Sequence, residues 1–199
     1  MKKWLIPVGI IAVIIIIIVA WSSGIYNTAV EREANAEKTW ADVESSYQRR
    51  NDLIGNLVNT VQGAAEFERG TLTDVIEARS RATSINVDAE NMTPEQMEQF
   101  RAAQGQVSSA LSRLLVTVER YPELKANQNF LNLQSQLEGT ENRINVARNR
   151  YNEAVTDYNK YIRKFPNNIF VGFYGFEEMP LYQADEGSED APEVEFDFS

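Results

Sequence analysis

Cysteine and histidine are both absent from this chain of 199 residues. Without cysteine there is no disulfide framework, no thiolate nucleophile, no zinc-finger spacing and no lipid-modified N-terminal cysteine. Without histidine the commonest general base and the commonest transition-metal ligand are missing. Basic charge is also scarce, with 19 Lys and Arg against 29 Asp and Glu and a formal charge of −10. Two of those lysines precede the first apolar run, leaving 17 basic residues for the rest. Such a surface repels phosphate backbones and anionic head groups, so nucleic acid is excluded as a natural partner. The ten glycines are scattered, and none sits at phosphate-loop spacing.

What is abundant is apolar sequence near the N-terminus. From Trp4 to Val30 there is no charged residue, and "WLIPVGIIAVIIIIIVAW" is an 18-residue apolar core with Trp4 and Trp21 at its ends. A hydrocarbon layer takes about 20 apolar residues, and tryptophans favour its interfaces. A cleaved signal peptide would start similarly, but its apolar region is usually about 7 to 15 residues, and "AWSSG" is a weak cleavage site. The run therefore reads as a retained, single membrane anchor. Lys2 and Lys3 on one flank, against the mixed "EREANAEK" on the other, put the N-terminus in the cytoplasm and the domain outside.

Beyond the anchor the spacing is helical. Apolar or small residues at Tyr26, Val30, Trp40, Val43, Tyr47, Ile54, Val58, Val61, Ala65, Leu72 and Val75 predict one long amphipathic helix, weakened at Gly55, Gly63 and Gly70. "TSINVDAENM" reads as a loop. Thr93, Pro94 and Gln96 then form a capping-box start for a second helix reaching about Arg120. Tyr121-Pro122 either reverses or kinks the chain. A third helix carries a continuous seam from Phe130 through Leu133, Leu137, Thr140, Ile144, Ala147, Tyr151, Ala154, Tyr158 and Tyr161 to Phe165. "IFVGFYGF" follows, and the last segment, "QADEGSEDAPEVEFDFS", has seven acids and no basic residue. That tail reads as a flexible solubilising segment, with a strand-like docking peptide as the alternative.

The order of Gln48-Arg49-Arg50, Asp52-Leu53-Ile54, Asn56-Leu57-Val58, Tyr121-Pro122, Leu124-Lys125-Ala126-Asn127, Glu138, Thr140-Glu141, Arg143-Ile144, Ala147-Arg148, Tyr151-Asn152, Tyr158-Asn159 and Phe165-Pro166 closely resembles the LemA family of bacterial membrane proteins. The resemblance covers roughly residues 1 to 180. It implies a short N-terminus, one spanning helix, an antiparallel helical bundle and no established enzymatic activity. Gly55 stands where members commonly have proline, so a kink that proline would fix is here only permitted.

Arg50 lies three, four and seven residues before Leu53, Ile54 and Leu57, which puts a guanidinium on the apolar face. Such a charge needs a carboxylate, and Glu141 and Glu44 occupy comparable seam positions, as does Arg148. These four are expected to form a polar layer that sets helix pairing, bidentate where geometry allows. A bundle metal site is the alternative, but its Glu-x-x-His motifs have no histidine to complete them. Tyr151-Asn152 and Tyr158-Asn159 repeat at seven residues. They are expected to bond neighbouring helices or to form a protomer interface. Phe170, Phe173, Tyr174 and Phe176 make the apolar patch most in need of a partner, whether the bundle, the membrane or another protein.

The chain thus reads as all-α: residues 1–25 a tail and transmembrane helix, 26–180 an elongated antiparallel bundle of three to four coiled-coil-like helices, and 181–199 an acidic tail. Its expected role is a non-enzymatic, single-pass scaffold of the bacterial inner membrane that forms homo-oligomers. The alternative is an envelope adaptor or sensor that binds a protein or peptide partner. No cofactor, metal or small-molecule substrate is implied.

Overall fold

One uninterrupted helix carries the chain out of the apolar stretch and into the domain. In the computed structural model, which describes residues 4–63, 68–85, 87, 89 and 92–183, α1 runs Leu5–Gln62. At about 1.5 Å per residue that is roughly 87 Å of helix. Its first part is exposed along its length, as Ile10, Ile14 and Ile17 illustrate, and is long and apolar enough to cross a membrane. Lys2, Lys3, Ala65 and the tail from residue 184 lie outside the described residues.

α1 does not continue to Val75. It stops at Gln62, and α2 (Arg69–Ser84) runs back beside it, with Arg79 Nε donating to the Asn51 carbonyl at 2.8 Å. The length of the partner helix explains the reversal. α5 (Gln128–Arg163) has 36 residues and pairs antiparallel with α1, as Arg32 to Asp157 and Arg50 to Glu141 show. A straight α1 beyond Gln62 would have projected past the end of α5 with its apolar face in water. Folding back instead buries Leu72, Val75, Ala78 and Ala82.

α3 (Pro94–Val118) starts where the capping box places it. Thr93 Oγ1 accepts from Gln96 N, and Gln96 Oε1 accepts from Thr93 N. It is antiparallel to α2, with Arg113 near Asp74 and Arg120 near Glu68. Tyr121-Pro122 reverses the chain through the single turn of α4 (Pro122–Lys125), and Asn127 Oδ1 caps α5 by accepting from Asn129 N and Phe130 N. The topology is therefore up, down, up, down, all helical, with no strand among the described residues.

Three core layers stack along α1. Farthest from the apolar stretch, all four long helices meet around Leu57, Val75, Leu114 and Leu137. Midway, Trp40 is enclosed by Phe100, Tyr151 and the connecting residues Val87 and Met92. Nearest the apolar stretch, Ile25 and Ala29 meet Tyr158, Ile162 and Val171. Val171 comes from α6 (Asn167–Tyr174), which Gly175 ends in the left-handed region at φ 78°. Phe165, expected on the α5 seam, lies past the helix end and is 75% exposed.

Gly55 sits inside α1 with no break there. A β-carbon at Gly55 would approach Cζ of Arg79 to 3.2 Å, and Arg79 already donates to Asn51 O, the carbonyl four residues before Gly55. Arg79 thus occupies the place where proline would free a carbonyl, and glycine keeps the helix regular beneath it.

Candidate functional site

The polar layer begins with Arg50, 2% exposed and the largest charged group inside the bundle. Its Nη1 donates to Glu141 Oε2 at 3.3 Å and to Ser108 Oγ at 3.1 Å, while Nη2 donates to Gln104 Oε1 at 2.6 Å. The carboxylate contact is single, not bidentate, because α3 takes half of the guanidinium. Glu141 is 46% exposed and keeps water on its other side. Gln104 and Ser108 were not expected here. Their signal was four-residue spacing on the same helix as Phe100, which polar side chains make easy to overlook.

Arg148 does not join Glu141. It lies against Tyr47, donating from Nε to the phenol oxygen at 2.8 Å, and the rings of Tyr47 and Tyr182 both face its guanidinium. Arg50 also stacks on Tyr47, at 4.8 Å, so the two arginines share one ring. Glu44 is half-buried one turn before Tyr47 and has a partner of its own. The structure therefore brings Arg50 to Glu141 directly, and Arg148 to Arg50 through Tyr47.

Of the Tyr-Asn pairs, Tyr158 does bond a neighbouring helix, its hydroxyl donating to Glu33 Oε1 on α1 at 3.2 Å, whereas the asparagines bond elsewhere. Residues Glu177 to Gln183 run extended along α5 as a strap, and each asparagine reads one strap residue twice. Asn159 Nδ2 donates to Met179 O at 2.8 Å and its Oδ1 accepts from Met179 N at 3.0 Å. Asn152 does the same with Tyr182 O and N, both at 2.8 Å. The neighbouring hydroxyls follow suit: Tyr158 donates to Glu177 O and Tyr151 to Pro180 O. Arg101 on α3 donates to Gln183 Oε1, closing the far side. Tyr182 is buried, its hydroxyl 2.8 Å from that of Tyr47.

Burial raises the pKa of Tyr151, of Tyr158 and, against the pull of Arg148, of Tyr47; Glu33 raises Tyr158 further. Unfolded tyrosine ionises near pH 10, so the native state holds these protons longer. The stability they contribute is complete below about pH 10 and is lost as pH rises above it. Denaturant midpoints are expected to fall between about pH 9 and pH 11, with the fall reduced in the Tyr151→Phe, Tyr158→Phe double variant. An equal fall in that variant would show that other groups cause it.

At the end of the bundle nearest the apolar stretch, aromatic side chains form a collar around α1. Trp21 meets Phe170 edge to face at 5.9 Å, Tyr26 meets Tyr174 and Phe176, and the Ser22 and Tyr174 hydroxyls lie 2.6 Å apart. Phe173 points away and is 86% exposed, with Ile169 also exposed. Trp4, at the other end of the apolar run, is exposed as well.

A cleft of about 510 Å³ opens between Glu33, Glu37, Thr93 and Glu177. Among the described residues no three His, Cys, Asp or Glu side chains are grouped to hold a metal ion.

A model of the LemA family matches residues 39–196. Among curated relatives, the chain is 26% identical over 175 residues to magnetosome protein MamQ 2 of Paramagnetospirillum magneticum, covering 79% of this chain and 64% of that protein. It is 24% identical over 144 residues to protein LemA of Metamycoplasma hominis, covering 72% and 62% respectively. MamQ of Magnetospirillum gryphiswaldense is 24% identical over 176 residues, covering 79% and 64%. The chain thus spans just under two thirds of the length of these relatives.

Proposed function

Because the chain belongs to the LemA family, we propose that it is a non-enzymatic, single-pass scaffold of the bacterial cell envelope, working by self-association and protein contact at the membrane surface. The observation that carries this reading is the continuity of α1. One helix holds both the apolar stretch and the Trp40 and Arg50 core positions, so the bundle is fixed to its anchor without a hinge. Copies held this way share a plane, which raises their effective concentration for one another. The two N-terminal lysines of the sequence favour a cytoplasmic N-terminus, which supports a bundle on the outer face of the inner membrane. The collar then lies at the lipid boundary, where Trp21, Phe173 and Ile169 meet head groups and acyl chains.

A second reading, that of an adaptor, is favoured by the strap. A bundle that holds an extended segment through its main chain has the chemistry to hold a peptide. The two readings separate on mass. The full chain purified in mild detergent and weighed by light scattering is expected to run as one homogeneous homo-oligomer. A monomer bringing one defined protein with it supports the adaptor instead. Turnover that survives purification and disappears with a single substitution removes both.

A further inference from the structure

At the end of the bundle nearest the apolar stretch, charge stops at one level. On α1 the first charged residue after the apolar run is Glu31, and between α5 and the strap no residue from Phe165 to Phe176 is charged. These two uncharged segments lie side by side. Phe170 meets Trp21, Tyr174 meets Ser22 and Tyr26, and Val171 packs with Ile25 and Ala29, so α6 sits level with residues 21–29 of α1. Charge resumes just beyond, with Arg32 over the ring of Tyr161 at 4.9 Å and Arg163 paired to Glu178 at 3.4 Å.

The apolar run is short for a bilayer. From Trp4 to Trp21 a helix rises about 26 Å, against about 30 Å of hydrocarbon, and any tilt shortens its reach further. With Trp4 at one face of the hydrocarbon, the other face falls near Gly24, which is the level of α6. There α6 presents an apolar row with no partner among the described residues of the bundle. Ile169 and Phe173 are four residues apart and exposed, Phe165 four residues earlier is exposed too, and the buried Val171 lies on the opposite side of the helix.

We propose that α6 is an in-plane membrane helix: it lies along the lipid boundary with Phe165, Ile169 and Phe173 among the acyl chains, and holds the bundle to the bilayer at a second point besides α1. The placement rests on α1 crossing the bilayer, but adds a lipid contact that the span itself does not require. The occupant is lipid because the row continues, with no charged residue between, the exposed apolar surface of α1 from Ile14 to Val19, and because charged side chains stand directly beyond it. Lys160 and Lys164, both exposed, stand where the row begins, at the level of head-group phosphates.

The chain has no cysteine, so single-cysteine variants of the full chain can carry an environment-sensitive fluorophore in phosphatidylcholine nanodiscs, with nitroxide-labelled lipids as quenchers. Because Phe173 and Ile169 are exposed, Phe173→Cys and Ile169→Cys leave the packing of Val171 untouched. A nitroxide near the head group should quench both probes at least about two-fold more than a probe on Gln106→Cys, as expected of an apolar face sunk about 5–10 Å into the interface. A nitroxide near the chain end should quench a probe on Ile15→Cys. Probes at 169 and 173 that lipid quenches no more than the one at 106, and that aqueous iodide reaches, overturn the in-plane helix, while a quenched probe at 15 leaves the span standing. A probe at 15 that lipid does not quench overturns both. Probes at 169 and 173 shielded from iodide without lipid quenching, and more so with more copies per disc, place a second copy over α6 and overturn lipid as the occupant.

Discussion

Arg50→Ala is expected to destabilise the bundle by about 3–5 kcal/mol, because it empties the space of a long buried side chain and leaves a buried amide oxygen without its donor. Arg50 joins three helices at one level, donating from α1 to Gln104 and Ser108 on α3 and to Glu141 on α5. Its loss leaves the buried Gln104 amide oxygen without that donor and opens a space where the long side chain had been. Glu141 suffers less, because it is half in water and can rehydrate. Glu141→Gln keeps an acceptor for Nη1 at a half-exposed, hydrated position, and should cost only about 1 kcal/mol, the usual net value of one such bond. Arg50→Met, which keeps the apolar stem, should fall between the two. Equilibrium denaturation in detergent measures all three. Arg50→Ala and Glu141→Gln with equal losses would show that Gln104 and Ser108 do not matter, and that the layer is an ion pair after all.

Trp40→Ala should be comparably damaging, about 3–5 kcal/mol, because a large ring leaves a cavity that rigid neighbours cannot fill. Trp40 is fully buried, with its ring centroid 5.3 Å from that of Phe100 and 5.1 Å from that of Tyr151. Three separate parts of the chain thus rest on one side chain. The indole Nε1 has no hydrogen-bond partner among the described residues, so the contribution of Trp40 is shape and area, not polarity. Trp40→Phe, which retains an aromatic ring and removes the unpaired donor, should lose less than half as much. Equal losses for phenylalanine and alanine would mean that the indole is bonded in solution and that the packing account of this layer is mistaken.

Helices α3 and α5 were legible because their seams and caps are local: Thr93 and Gln96 are three residues apart, and the α5 spacing holds from Phe130 to Tyr161. The reversal at Gln62 was not legible. Leu72 and Val75 follow Val61 at helical spacing, and an apolar stripe looks the same whether its helix runs on or folds back. What decides is the length of α5, a property of a distant segment. Of the polar layer, Arg50 and Glu141 could be paired by their places on apolar faces, but Gln104 and Ser108 carry no charge to draw attention. The heptad repeat of Tyr151-Asn152 and Tyr158-Asn159 was visible. Its partner was not, because an asparagine that reads main chain imposes almost no side-chain pattern on what it binds.

The position of the domain relative to the membrane is the point on which the rest turns, and one cysteine decides it. Gln106 is exposed on α3, and the chain has no other thiol. Cells expressing the full chain with Gln106→Cys are treated with a membrane-impermeant maleimide, after outer-membrane permeabilisation where there is one. Labelling of intact cells to the same extent as lysed cells is the expected result, and places the bundle outside the inner membrane with α1 as its uncleaved anchor. Labelling only after lysis would put the bundle in the cytoplasm and contradict the envelope scaffold.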